Sequence, residues 1–190
     1  MKVCVYAASS PMIAPIYFEA TQQLAKALVQ EQVGVVYGGG ATGLMGQLAD
    51  TILEEGGQIK GIMPQFMKEV EWAHKGVSDF EFTTTMHERK AQFLVEIDAI
   101  ITLPGGTGTL EELLEVITLK RLGLLDKPIV ILNTQGYYNP LKNMLQNCIE
   151  EHFLQPKHAQ MWHFVNQPEE VLPAIKAAQA WTGGAIDFNK

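Results

Sequence analysis

Charge is scarce in this chain and leans one way. Asp, Glu, Lys and Arg make up 18% of the 190 residues, and 21 acids against 14 Lys and Arg leave a formal net charge of −7. No basic patch marks it for nucleic acid or an anionic membrane, so neither is an expected partner. Cysteine is nearly absent. Cys4 and Cys148 fall in an expected first strand and a late helix and are predicted to be reduced thiols, not a disulfide or a metal pair. No apolar run reaches the length of a membrane span, and the opening MKVCVYAASS lacks a signal peptide's apolar core. Cytoplasm is the expected compartment. The five histidines (His74, His87, His152, His158 and His163) show no metal-ligand spacing and are predicted to be surface or packing residues. Trp72, Trp162 and Trp181 lack the basic stripe of a base-stacking platform and are predicted to pack.

What is present is a regular alternation. Apolar, β-branched runs at 2–8, 33–38, 58–63, 80–84, 99–104, 128–133 and, more weakly, 163–166 predict strands. Helical patterns near 15–31, 43–56, 86–97, 109–122, 139–151 and 168–181 lie between them. Near-continuous apolar strands separated by helices predict an α/β fold: a mostly parallel, doubly wound, Rossmann-like sheet with helices on both faces. Its ligand crevice belongs at the carboxyl ends of the strands. With 47% hydrophobic residues and no repeat, linker or low-complexity tract, residues 1–190 read as one domain.

Two glycine loops follow strands. In VVYGGGATGLMG, Gly38, Gly40 and Gly43 satisfy G-x-G-x-x-G, with Gly39 between the first two. The loop reads either as a phosphate contact or as a tight strand-to-helix turn. A dinucleotide site is disfavoured, because the motif follows the second strand and the third ends in Met63-Pro64 without an acid for a ribose hydroxyl. The second loop, LPGGTGTLEELLEV, carries Gly105, Gly106 and Gly108 with Thr107 and Thr109. Its backbone can approach an anion, and the amides of the following helix supply positive dipole without a lysine.

That helix begins with acids. Thr109-Leu110-Glu111-Glu112 reads as a capping box in which Glu112 folds back on Thr109. The alternative is a catalytic carboxylate within one turn of a phosphate site. Leu110, Leu113, Leu114 and Ile117 are the expected buried stripe, with Glu111 and Glu115 on the polar side. In TTTMHERKAQFLVEIDA, Thr85 and Glu88 form another capping-box pattern, and Met86, Lys90, Phe93, Leu94 and Ile97 share a face. Lys90 then either runs its stem along that face to solvent or reaches the crevice with Arg89 to meet an anion.

VVYGGGATGLMG, MHERKAQF and PGGTGTLEELLEV, in this order and spacing, resemble the LONELY GUY (LOG) family, the cytokinin riboside 5′-monophosphate phosphoribohydrolases with signature P-G-G-x-G-T-x-x-E. The similarity runs from VCVYAASS to at least GYYNPL. It implies cleavage of the N-glycosidic bond of AMP or an N6-modified adenosine monophosphate, releasing free base and ribose 5-phosphate with no cofactor. It puts the signature glutamate at Glu112, paired cations at Arg89 and Lys90, and the phosphoribose grip at Gly106–Thr109. Glu71 and Thr118 become candidate substrate contacts, as do Ser9, Gly39, Gly40, Gly105, Leu110 and Glu111. A homodimer or larger homo-oligomer with the site near the subunit contact is also implied. An older family label, lysine decarboxylase-like, is discounted, because nothing marks a Schiff-base lysine and its partners. Ala8 stands where many relatives have glycine, and Glu81 where plant members tend to have arginine. A non-catalytic nucleotide sensor would use the same two loops but leaves Glu112 beside Arg89 unexplained.

Overall fold

The apolar runs extend as seven strands in the computed structural model, which describes residues 1–68 and 72–183. They are β1 (Lys2–Tyr6), β2 (Gly34–Tyr37), β3 (Ile59–Pro64), β4 (Asp79–Thr83), β5 (Ala99–Thr102), β6 (Ile129–Leu132) and β7 (His163–Val165). All pair in parallel, in the order β4-β3-β2-β1-β5-β6-β7. The interior strands β1, β5 and β6 are almost wholly buried, as strands covered on both faces must be.

Side-chain alternation sends each strand into two cores. Val3 and Val5 join Leu24, Leu28, Leu48, Ile52 and Val171, contributed by α1 (Pro15–Gln30), α2 (Gly43–Glu54) and α7 (Val171–Ala177). Cys4 and Tyr6 join Phe93, Leu113, Ile117 and Leu145 on the opposite face, from α4 (Met86–Phe93), α5 (Thr107–Arg121) and α6 (Asn139–Glu150). Each fully buried Leu, Ile or Phe contributes about 1.5–3 kcal/mol over leaving it exposed. A short helix, α3 (Gln65–Lys68), follows β3 and was not foreseen from the sequence.

The strand order sets the site. From β1 the chain lays β2, β3 and β4 outward on one side, then returns through α4 to place β5 on the other. The turns after β1 and β5 therefore diverge, opening a crevice at the carboxyl ends of the central strands. Gly43 locks this junction. Its φ is +62°, and a Cβ there would lie 2.5 Å from the Ser9 carbonyl carbon and 2.7 Å from the Ala8 oxygen. Only glycine lets the first turn of α2 meet the β1 loop so closely.

The last helix, α7, is shorter than the expected 168–181, and two helix boundaries beside the site also differ from expectation. α4 ends at Phe93, short of 97, because Leu94 caps it and Glu96 takes a positive φ of 53°. α5 begins at Thr107, two residues early, entered through an extended Gly106 that needs no side-chain cap.

Candidate active site

The early start of α5 changes what its acids do. Thr109 lies inside the first turn, 5% exposed, so the capping box predicted for Thr109 and Glu112 does not form. The first intrahelical bond runs from Leu110 N to Gly106 O at 3.0 Å. The amides of Thr107, Gly108 and Thr109 precede that bond and have no carbonyl a turn earlier in the helix. This turn carries no acid, while Lys120 and Arg121 close the far end, so both termini suit the helix dipole. Glu111 and Glu112 open the second turn.

Glu112 bonds instead to Arg89. Arg89 Nη1 donates to Glu112 Oε1 at 3.1 Å, and their side chains are only 9% and 13% exposed. Three further contacts fix the guanidinium. Nε donates to Ile62 O at 3.1 Å, Nη2 donates to Gly38 O at 3.4 Å, and the group lies 4.7 Å over the Phe93 ring. A Cβ on Gly38 would sit 2.6 Å from Nη2, so this glycine makes room for the arginine. Burial pushes the Glu112 carboxyl up to about 7; Arg89 opposes that rise, Glu111 and Glu115 add to it, and Lys90 works against it. The desolvation of the carboxylate outweighs the ion pair.

The wheel placing Lys90 on the inner face is corrected by one position. Arg89 and Phe93 are the buried residues of α4, and Met86 is 41% exposed. Lys90 turns outward to Glu111 Oε1 at 2.6 Å and Glu115 Oε2 at 3.1 Å, and these bonds raise its pKa. On α5, Leu114 is exposed, and the buried stripe is Thr109, Leu113, Val116, Ile117 and Lys120. The capping box of Thr85 and Glu88 forms as expected.

A cavity of about 530 Å³ opens at the carboxyl ends of the central strands. Of the sequence candidates, Ser9, Gly40, Arg89, Gly106, Thr107, Gly108, Thr109 and Glu112 line it together. Others stand back from it. Gly39 turns with φ +80° against Phe80, and Gly105 is buried, its carbonyl accepting from Tyr137 Oη at 2.7 Å. Leu110 packs against the core beneath α5, Glu111 and Lys90 pair outside the lining, and Thr118 donates to Leu114 O at 2.8 Å on the exposed side of the helix. Glu71 lies outside the described residues.

Sequence reasoning missed the remaining walls. Tyr6 lines the floor, and its phenol is pushed far up by burial first, then by Cys4 and Glu112. Met45, Met63, Met67 and Trp72 add large apolar groups to the lining. Trp72 was expected to pack, yet it is 58% exposed and faces the cavity. These residues come from four separate segments, so no local motif announces them. Glu81, where the departure from plant relatives falls, pairs with Lys60 at 2.7 Å and does not line the cavity.

No described helix is long and apolar enough to cross a membrane, and no group of three or more His, Cys, Asp or Glu among the described residues could hold a metal.

Fold and site together define a class: a doubly wound α/β protein with two glycine loops and a buried Glu–Arg pair at its switch-point crevice. Comparison with known proteins narrows it. The family model described as "possible lysine decarboxylase" matches residues 45–175. A cytokinin riboside 5′-monophosphate phosphoribohydrolase of Arabidopsis thaliana is 36% identical over 185 residues, covering 97% of this chain and 81% of the relative. Another from the same plant is 41% identical over 155 residues, covering 82% and 72%. The chain belongs to the LOG family. Among solved structures, the molybdenum cofactor carrier protein of Chlamydomonas reinhardtii superposes with a TM-score of 0.70 at 18% identity, covering 92% of this chain and 95% of that one. At that identity the likeness is one of fold.

Proposed function

We propose that this chain is an N-glycosidase that hydrolyses AMP or an N6-modified adenosine 5′-monophosphate to free base and ribose 5-phosphate. The observation that carries the reading is the buried Glu112, held by Arg89 at the edge of a cavity whose rim is the acid-free first turn of α5. The names of the Arabidopsis relatives support the reaction class.

The residues divide the work by charge. The amides of Gly106–Thr109 hold the substrate phosphate, which acts as a handle remote from the bond that breaks. As the C1′–N bond lengthens, its electron pair leaves with the base and positive charge develops on the ribose. The Glu112 carboxylate stabilises that charge and takes a proton from the water that adds to C1′. The departing base gains a proton, so atoms and charge balance. A carboxyl titrating near 7 can accept the proton and return it at neutral pH. Arg89, tied to two strand-end carbonyls, holds Glu112 in place and limits its rise.

Lys90, Glu111 and Thr118, which stand outside the cavity lining, retain their proposed substrate contacts only through a second subunit or a bound-state rearrangement; the Glu71 contact stays part of the proposal. A homodimer that brings the outer face of α4 and α5 to its partner is part of the proposal. Chromatography of protein incubated with AMP and with N6-isopentenyl-AMP tests the reaction. Free base and ribose 5-phosphate from either support it. Tight AMP binding without base release would favour the nucleotide sensor.

A further inference from the structure

The stretch Trp72–Gly76 is laid across the first glycine loop. Ala41 N donates to Trp72 O at 3.0 Å, His74 N donates to Gly39 O at 2.9 Å, and Gly40 and Ala73 form an antiparallel bridge. The ribbon is also tied to α2 through the His74 side chain. His74 is 10% exposed at its side chain, and Nδ1 accepts from Gly76 N at 3.2 Å. That contact leaves the ring hydrogen on Nε2, which donates to Asp50 Oδ1 at 2.9 Å. Asp50 is exposed on α2, and nothing in the mechanism above uses it.

What the ribbon carries is an indole. Trp72 is 58% exposed and lines the cavity together with Met63 and Met67. Met63 belongs to β3, whereas the anion-binding turn follows β5, with β2 and β1 between them. Three strand spacings put the two ends of the cavity about 14 Å apart. A nucleotide with its phosphate at the β5 end therefore extends its base toward the β3 end, where the wall is thioether and indole. An exposed aromatic face on a cavity wall suits stacking on a heterocycle.

We propose that His74 and Asp50 form a clasp that positions Trp72 as the stacking wall for the substrate's base. The clasp sets affinity for the base separately from the grip on the phosphoribose. His74 and Asp50 are positioning residues, and Trp72 is the contact. The inference rests on the nucleotide reading above and adds the residues that govern the base end.

Two ligands separate the ends of the site. AMP carries a base; ribose 5-phosphate does not. Binding of each is followed by tryptophan fluorescence and by inhibition of turnover. In the wild type AMP quenches emission and ribose 5-phosphate does not, and Trp72→Ala removes the quench. Trp72→Ala weakens AMP on the order of 10-fold, the range for loss of one base–aromatic stack, while the inhibition constant of ribose 5-phosphate stays put. Asp50→Ala, a change on an exposed helix face, raises the KM for AMP several-fold with kcat unchanged, and His74→Phe does the same. His74→Gln, which retains a donor to Asp50, restores most of the affinity. Unchanged AMP affinity in both Trp72→Ala and Asp50→Ala would overturn the proposal. So would a parallel loss of ribose 5-phosphate, which would mean general damage to the site. Because the quench reports binding without turnover, a protein that binds AMP through Trp72 yet releases no base would refute the hydrolase reading and leave the clasp standing.

Discussion

Burying Glu112 should make this protein less stable as pH rises, against the usual trend for paired carboxylates. Its carboxyl titrates at an ordinary 4.5 in the unfolded chain and at about 7 in the folded one. Between those values the folded state holds the proton more tightly than the unfolded state does, so stability is greatest below the unfolded value and is lost as pH climbs through the folded one. A difference from 4.5 to about 7, at about 1.4 kcal/mol per pH unit, amounts to roughly 3 kcal/mol when the carboxylate is fully charged. Other carboxylates pull the other way; the Glu31 pKa, for example, is lowered by Lys176. The quantity to measure is therefore a difference: urea unfolding of wild type and Glu112→Gln at pH 5, 6, 7 and 8. The Gln variant, which cannot ionise, should gain on the wild type by roughly 2.5 kcal/mol over that range, with most of the change between pH 5 and 7. In a chain of this length that equals about 5–10 °C in Tm. A flat difference would mean that Glu112 ionises normally, and the account of its environment would be wrong.

Other outcomes follow from single contacts. Arg89→Lys keeps the charge but cannot reach Glu112, Ile62 and Gly38 together; with less opposition to burial, the acid limb of the rate–pH profile should move above its wild-type position. An unmoved limb would show that Arg89 does not tune the carboxyl. Gly43→Ala should cost more than about 2 kcal/mol, since it adds a backbone clash to a φ of +62°. Gly56→Ala, at φ +74° with nothing within 4 Å, should cost only about 1 kcal/mol, and equal losses in denaturant midpoints would refute the clash.

Strand positions were legible because each buried strand of a parallel sheet is a self-contained apolar run. Ile129–Leu132 needs no neighbour to be recognised. Helix faces were less legible. One residue is a rotation of about 100° on a helix, and that separates Arg89 inside from Lys90 outside. The sequence T-L-E-E matched a capping box, but the extended Gly106 that follows β5 lets the helix start two residues earlier, at Thr107. The residues of the Glu112–Arg89 pair could be named from motif resemblance, yet the high pKa of Glu112 could not. It depends on burial supplied by the surrounding elements. Trp72 and the methionines were hidden for the same reason: their shared wall exists only once α2, β3, α3 and the ribbon over the glycine loop are folded together.

The central claim is that Glu112 performs chemistry on a bound nucleotide, and Glu112→Gln tests it most directly. The variant's kcat for base release from AMP would be measured beside its AMP affinity by calorimetry. The account expects affinity near the wild-type value and a loss in kcat on the order of 10²-fold or more, as for other general acid–base groups. Release at close to the wild-type rate, with only stability altered, would contradict it and leave Glu112 a purely structural partner of Arg89.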